Sequence, residues 1–204
     1  RTDLPHVLSK ELKGKRGTIG LGTVTDPYQE AERHLLLTRR CLIEIIPHGL
    51  AVSALTKSDL VLRDIDLYKE LRGEVGITVT SVSPELSRAM EPGAPLPARR
   101  LDALRGLTEE GVNAYALIGP LLPMLEERDV IELVDALAAT GIERAMLDRF
   151  RPRPGMFDDI RARPACKGLG DGLERAHRER DYSALEALVR RECSRKGLRC
   201  VDAF

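Results

Sequence analysis

A chain of 204 residues with 43% hydrophobic and 31% charged side chains has the size and make-up of one packed globular domain. Its 32 basic and 32 acidic residues cancel, which argues against a dedicated nucleic-acid-binding module, since such modules carry a basic surplus. The balance is uneven: from Arg144 to Phe204 there are 15 basic against 10 acidic residues, which suits a solvated helix face better than a polyanionic partner.

Short apolar runs alternate with amphipathic stretches. Gly17 to Val24 reads as a strand. Glu30 to Ile46 reads as one helix, with Ala31, Leu35, Leu42 and Ile45 near one face and Pro47 and Gly49 ending it. Leu50 to Thr56 is a second strand, and Ser58 or Asp59 caps a helix running to about Arg72. Val75 to Thr80, rich in β-branched residues, is a third strand. A helix from Ser83 to Met90, a proline-rich turn and a helix from Ala98 to Glu110 follow, with Gly111 as the stop. Val112 to Ile118 is a fourth strand. The clearest helix is Asp129 to Thr140, where Val130, Leu133, Val134, Leu137 and Ala138 form one stripe. Ile142 to Leu147 is a fifth strand, Arg151 to Arg163 reads as a loop, and Asp171–Arg180 and Ser183–Lys196 read as helices. This divides the chain into a core over residues 1–150 and a loop-and-helix extension over 151–204.

Strands that alternate with helices imply a parallel sheet with right-handed crossovers. Periodicity leaves open whether five such units make an open sheet or part of a barrel. No apolar run approaches the ~18 residues of a membrane helix, and the first residues do not read as a signal peptide. Cys41, Cys166, Cys193 and Cys200 are too few and scattered for a disulfide scaffold and match no common zinc spacing. They point to a reducing cytoplasm, and Cys193 and Cys200 read as buried helix-face thiols rather than a pair.

In parallel α/β folds ligands bind where the strands end. The strand-end residues are Thr25 and Asp26, then Lys57, then Thr78 and Thr80, then Gly119 and Pro120, then Asp148 and Arg149. Each has a plain structural reading as well. Asp26 before Pro27 suits a turn or a helix cap, Lys57 suits a solvated helix start, and threonine is common in strands. Gly20 and Gly22 lack the third glycine of a dinucleotide fingerprint. There is no Walker lysine, GxSxG or HExxH motif.

Several segments taken in order resemble a known family. Gly22-Thr23-Val24-Thr25-Asp26-Pro27-Tyr28-Gln29-Glu30-Ala31-Glu32 is similar to the GTVTDPYQPAE signature of the spore-photoproduct-lyase-like branch of radical S-adenosylmethionine (SAM) proteins. Leu37-Thr38-Arg39-Arg40-Cys41, Leu55-Thr56-Lys57-Ser58, Val61-Leu62-Arg63-Asp64, Glu91-Pro92-Gly93-Ala94-Pro95 with Arg100, and Ile118-Gly119-Pro120 fit the same family. The resemblance implies a partial (β/α) TIM-type barrel. Its first strand and the CxxxCxxC loop that holds a 4Fe–4S cluster are missing here, so an unpaired parallel edge is expected. It also implies SAM binding. Thr25 would lend a hydroxyl, Asp26 would accept from the SAM amine or ribose, and Lys57 would pair with the carboxylate. Thr78 and Thr80 would supply hydroxyls, and Gly119 and Pro120 would pack near the adenine. The implied activity is reductive cleavage of SAM to a 5′-deoxyadenosyl radical, with an external electron donor, and the likeness to spore photoproduct lyase suggests a nucleic-acid substrate. The fragment alone is expected to be inactive. The alternative is a non-catalytic nucleotide-binding or protein-interaction remnant of the barrel.

Overall fold

Apolar runs of strand length, each followed by a helix with one apolar stripe, can bury both surfaces only by laying the helices on one face of a parallel sheet. The computed structural model, which describes residues 3–166 and 168–203, shows this arrangement. Helix α1 (Leu4–Glu11) leads into β1 (Thr18–Leu21), α2 (Glu32–Leu35), α3 (Leu37–Ile45) and β2 (Ala51–Thr56). Next come α4 (Ile65–Glu70), β3 (Arg72–Thr78), α5 (Pro84–Met90), α6 (Pro97–Glu109), β4 (Ala114–Leu121), α7 (Glu127–Ala138) and β5 (Arg144–Arg149). Helices α8 (Met156–Arg161), α9 (Leu169–Glu179) and α10 (Tyr182–Arg195) precede β6 (Arg199–Asp202).

The six strands form one parallel sheet in chain order, with β1 and β6 at its two edges. The sheet is therefore not closed, as a partial barrel requires. Register assigns each strand residue to a face. Thr56, Ile77, Ala116 and Ala145 are aligned across four strands, and they lie with Val52, Ala54 and Val75 on the buried face beneath the helices. Leu42 and Ile45 of α3, Leu104 and Leu107 of α6, and Leu133 and Leu137 of α7 join them in one apolar cluster.

The opposite, concave face carries Ser53 and Glu74, then Leu55, Gly76, Tyr115 and Arg144, then Thr78, Leu117 and Met146. A Cβ on Gly76 would stand 2.3 Å from the Tyr115 ring, so only glycine admits that ring. The Arg144 guanidinium sits 4.7 Å above it and pairs with Glu74, which accepts a hydrogen bond from Ser53 Oγ. This network fills the concave face toward the strands' N-terminal ends.

Several sequence expectations need correction. The Arg151–Arg163 loop contains α8, and a sixth strand follows the last helix. Cys200 therefore lies on a strand, not a helix face. The single helix expected from Glu30 to Ile46 is broken at Leu36, which has φ 50°. The Glu32 carboxylate accepts from Leu37 N and Thr38 N at 2.9 and 3.1 Å, capping a second helix instead of lying along a first. The helix expected from residue 58 to 72 is a 3₁₀ turn over Asp59–Asp64 followed by the short α4, and β3 starts at Arg72. β1 is shorter than expected because the chain turns at Gly22, at φ 96°. The residues after 150 are built onto the same sheet: β6 pairs with β5 and α10 packs on α7.

Candidate functional site

Because all strands run the same way, the loops after them converge at one edge. The loop after β1 passes so close to β2 that a Cβ on Gly22 would stand 2.1 Å from the Leu55 carbonyl oxygen. It then reaches Asp26, whose carboxylate ties the two strand ends together. Asp26 Oδ1 accepts from Tyr28 N at 2.8 Å and Thr56 Oγ1 at 2.6 Å, and Oδ2 accepts from Lys57 N at 2.8 Å. A carboxylate has about four acceptor sites, so one is left for a ligand.

Behind this loop lies a buried polar lattice. The Tyr28 hydroxyl is 3.1 Å from both Asp64 Oδ2 and the Tyr68 hydroxyl. Asp64, fully buried, accepts from Arg39 at 3.0 Å and twice from Arg63 at 2.8 Å. Arg63 also donates to the Glu32 carbonyl at 2.7 Å. The TDPYQ, LTRRC and VLRD segments are thus one structure that holds the β1 loop. Burial pushes both tyrosine hydroxyls well above their ordinary range, and the Asp64 charge adds to it.

Lys57 directly follows Thr56, the last residue of β2, which pairs with Ile77 one residue before the end of β3. Its ammonium, about a third exposed, lies 3.5 Å from Glu91 Oε1. Glu91 opens the EPGAP turn, and Arg100 pins that turn down. Only 1% exposed, Arg100 donates to Pro95 O at 2.7 Å and Thr78 O at 3.1 Å, and its Nη2 lies 2.5 Å from Glu91 Oε2. That last contact lacks hydrogen-bond angles and is Coulombic. A guanidinium this deep is tolerable only with such partners. Lys57, Glu91 and Arg100 form a chain of alternating charge from the mouth of the sheet into the core.

A cavity of about 470 Å³ opens between the β1 loop and the EPGAP turn, lined by Asp26, Arg33, Lys57, Asp59, Arg99 and residues 92–95. A second, of about 400 Å³, runs along the free edge of β1 and includes Thr25, Asp26, Leu35 and Cys41. The sequence-derived residues therefore share one end of the sheet but not one wall. Asp26 and Lys57 are joined directly, and Thr78 ends the neighbouring strand. Thr25 is exposed beside the β1 edge. Thr78, Thr80 and Gly119 are buried and Pro120 half-buried, and none of the four lines either cavity. Gly119 sits against Asp148 of β5; a Cβ there would stand 3.2 Å from that of Asp148. Glu91 was not marked as a site residue by the strand-end reasoning, since it lies in a turn between two helices.

Comparison with known proteins identifies the architecture. The radical SAM superfamily model matches residues 8–137. The chain belongs to the radical SAM superfamily. A protein of Methanocaldococcus jannaschii of undetermined function is 39% identical over 133 residues, covering 64% of this chain and 50% of the relative. One from Mycobacterium tuberculosis is 34% identical over 151 residues, covering 69% of this chain and 44% of the relative. The chain thus spans about half the length of the curated relatives it matches. Among solved structures, a spore photoproduct lyase mutant with bound AdoMet and dinucleoside spore photoproduct superposes at TM-score 0.65 and 15% identity, covering 99% of this chain and 66% of that one. SuiB of Streptococcus suis bound to S-adenosylmethionine superposes at 0.63 and 13%, covering 98% and 42%. At these identities the likeness concerns the fold.

Radical SAM membership implies two groups, SAM and a 4Fe–4S cluster, and the residues present suit them unequally. SAM offers a carboxylate, an amine and ribose hydroxyls. One cation at Lys57, an open acceptor site on Asp26 and the hydroxyls of Thr25, Thr78 and Thr80 have the matching chemistry. The cluster is not matched. Each ligated iron needs a thiolate, yet the four cysteines lie on α3, the 164–166 turn, α10 and β6. Among the described residues no three His, Cys, Asp or Glu side chains converge as a metal site. Also among them, no helix is long and apolar enough to cross a membrane.

Proposed function

We propose that the C-terminal ends of β1 to β4 hold SAM in a radical SAM enzyme, and that this chain supplies the nucleoside-binding part of its active site. The observation that carries the reading is Lys57 just past the end of β2, its amide held by Asp26 of the β1 loop and both residues lining one cavity, in a chain of this superfamily. Lys57 pairs with the ligand carboxylate, exchanging its contact with Glu91 for a shorter charge-assisted one. Asp26 uses its remaining acceptor site on the amine or ribose, with Thr25 beside it. Thr78, Thr80, Gly119 and Pro120 lie outside both cavities, and the adenine end is assigned to them on the family resemblance alone. SAM held there would supply radical hydrogen abstraction only where residues other than these held a 4Fe–4S cluster beside it; the role of this chain's own residues is to bind and orient the nucleoside. These 204 residues contain no CxxxCxxC segment, so on this reading they bind SAM without cleaving it until such a segment and an electron donor are supplied. A reducing, cytoplasmic setting suits that chemistry.

A nucleic-acid substrate is supported by the fold's likeness to spore photoproduct lyase. The basic surplus after residue 144 adds little to it. Arg149, Arg161, Arg190 and Arg191 are already paired with Glu186, Asp171, Asp202 and Glu127.

A second reading, a protein-interaction module, rests on the free β1 edge, where Val24 is 92% and Leu35 50% exposed. Calorimetric titration with SAM separates the two. Binding that weakens roughly tenfold or more in Lys57→Ala, the worth of one charge-assisted hydrogen bond, supports the first. No binding, together with self-association in sedimentation, overturns it in favour of the second.

A further inference from the structure

Every cation at the cavity between the β1 loop and the EPGAP turn is matched by a carboxylate. Among the described residues, the cations bordering it are Arg33, Lys57 and Arg99. Arg33 meets Glu30 at 2.7 Å, and Arg99 meets Asp59 at 2.6 Å. Lys57 meets Glu91 only at 3.5 Å, longer than a good hydrogen bond, so it is the cation most easily drawn to a ligand. Glu91 is not free to follow it. Its amide donates to Ser87 O at 2.9 Å, and its carbonyl accepts from Ala94 N at 3.1 Å within the turn. Its other carboxylate oxygen lies 2.5 Å from the buried Arg100, which makes a charge tolerable at that depth. Glu91 does not border the cavity itself. It stands behind Lys57 and acts through it.

A fixed negative charge behind a binding cation changes what that cation holds. An anion on the Lys57 ammonium is also close to Glu91, and is repelled in proportion to its own charge. A nucleotide phosphate carries nearly two negative charges at neutral pH. SAM carries a single carboxylate together with an ammonium and a sulfonium, and Glu91 attracts both of those.

We infer, on the SAM reading above, that Glu91 is a specificity-determining residue: it keeps phosphate-bearing nucleotides off Lys57 and leaves that lysine to a zwitterionic, sulfonium-bearing nucleoside. Adenine nucleotides share the adenosine of SAM, so contacts to base and ribose do not separate the two. The difference lies in the group carried on the 5′ carbon, and a built-in repulsion discriminates there. Arg33 and Arg99 add to the filter, because each already has a carboxylate in direct contact.

The test is calorimetric titration of the whole chain, wild type and Glu91→Gln, with SAM and separately with adenosine 5′-monophosphate (AMP). The substitution keeps the side chain's shape and removes its charge. AMP is expected to bind Glu91→Gln roughly tenfold more tightly than wild type, as suits the loss of one nearby like charge. SAM is expected to bind it equally or more weakly. The AMP gain is expected to vanish in the double variant Lys57→Gln, Glu91→Gln. Glu91→Asp keeps a carboxylate for Arg100 and draws it back from Lys57 by one methylene. It is expected to shift AMP binding the same way by a smaller factor, and it carries the test where Glu91→Gln does not fold. AMP binding no tighter than in wild type overturns the assignment. So do equal changes for SAM and AMP, the mark of a merely structural role, and so does a gain that persists without Lys57. A wild type that does not bind SAM, with AMP still gained in Glu91→Gln, refutes the SAM reading while supporting the exclusion of phosphate by Glu91.

Discussion

Replacing Arg100 with methionine keeps the apolar stem and removes the guanidinium from the centre of the EPGAP clamp. The variant loses charged hydrogen bonds to Pro95 O and Thr78 O and leaves Glu91 facing the core without its nearest cation. Removing one partner of a buried pair costs about 3–5 kcal/mol. Glu91 keeps Lys57 at 3.5 Å and is itself 16% exposed, so the lower end applies, about 3 kcal/mol. For a chain of this length about 3 kcal/mol lowers Tm by roughly 6–12 °C. Urea unfolding should give the same loss as a fall in midpoint with unchanged slope. Arg100→Lys keeps the charge but not the planar fork that reaches two carbonyls and a carboxylate, so it should recover less than half. The double variant Arg100→Met, Glu91→Gln removes the stranded charge and should be more stable than Arg100→Met alone. A loss below about 0.5 kcal/mol for Arg100→Met, the range of ordinary surface changes, would refute the idea that this clamp holds the turn over Lys57.

Two further outcomes follow from the geometry around the β1 loop. Gly22→Ala forces a Cβ to 2.1 Å from a backbone oxygen of β2 at a positive φ. It should unpair β1 from β2, seen as faster amide exchange at Leu21 and Ala54, whereas Gly14→Ala, at φ 72° with nothing within 4 Å, should leave that pairing intact. Tyr28 and Tyr68 have folded-state pKa values raised by burial, so their contribution is fully present below the unfolded value near pH 10. Above it the unfolded chain loses these protons while the folded chain keeps them, and stability should fall by about 1.4 kcal/mol per pH unit per tyrosine. Tyr28→Phe should halve the part of that slope due to this pair; an unchanged slope in alkaline unfolding curves would contradict the burial argument.

What the sequence determined by itself is local and periodic. The alternation of apolar runs with striped helices specified the parallel sheet, because each period dictates which face must be covered. Helix α7 lies within two residues of where its stripe placed it. The same alternation put Thr25, Asp26, Lys57, Thr78 and Gly119 at one end, since parallel strands all finish on the same side.

Only the tertiary structure decided the rest. The break at Leu36 is invisible in a continuous apolar pattern. It depends on Glu32 capping α3 while held by Arg63, 31 residues further on. Strand β6 has four residues and no useful alternation, and it becomes a strand because β5 offers it an edge. The pairing of Lys57 with Glu91 likewise depends on how elements lie against each other. Side-chain periodicity records burial, a property of one segment, whereas a polar partnership requires a distance between two segments, and that distance exists only once the sheet and helices are assembled.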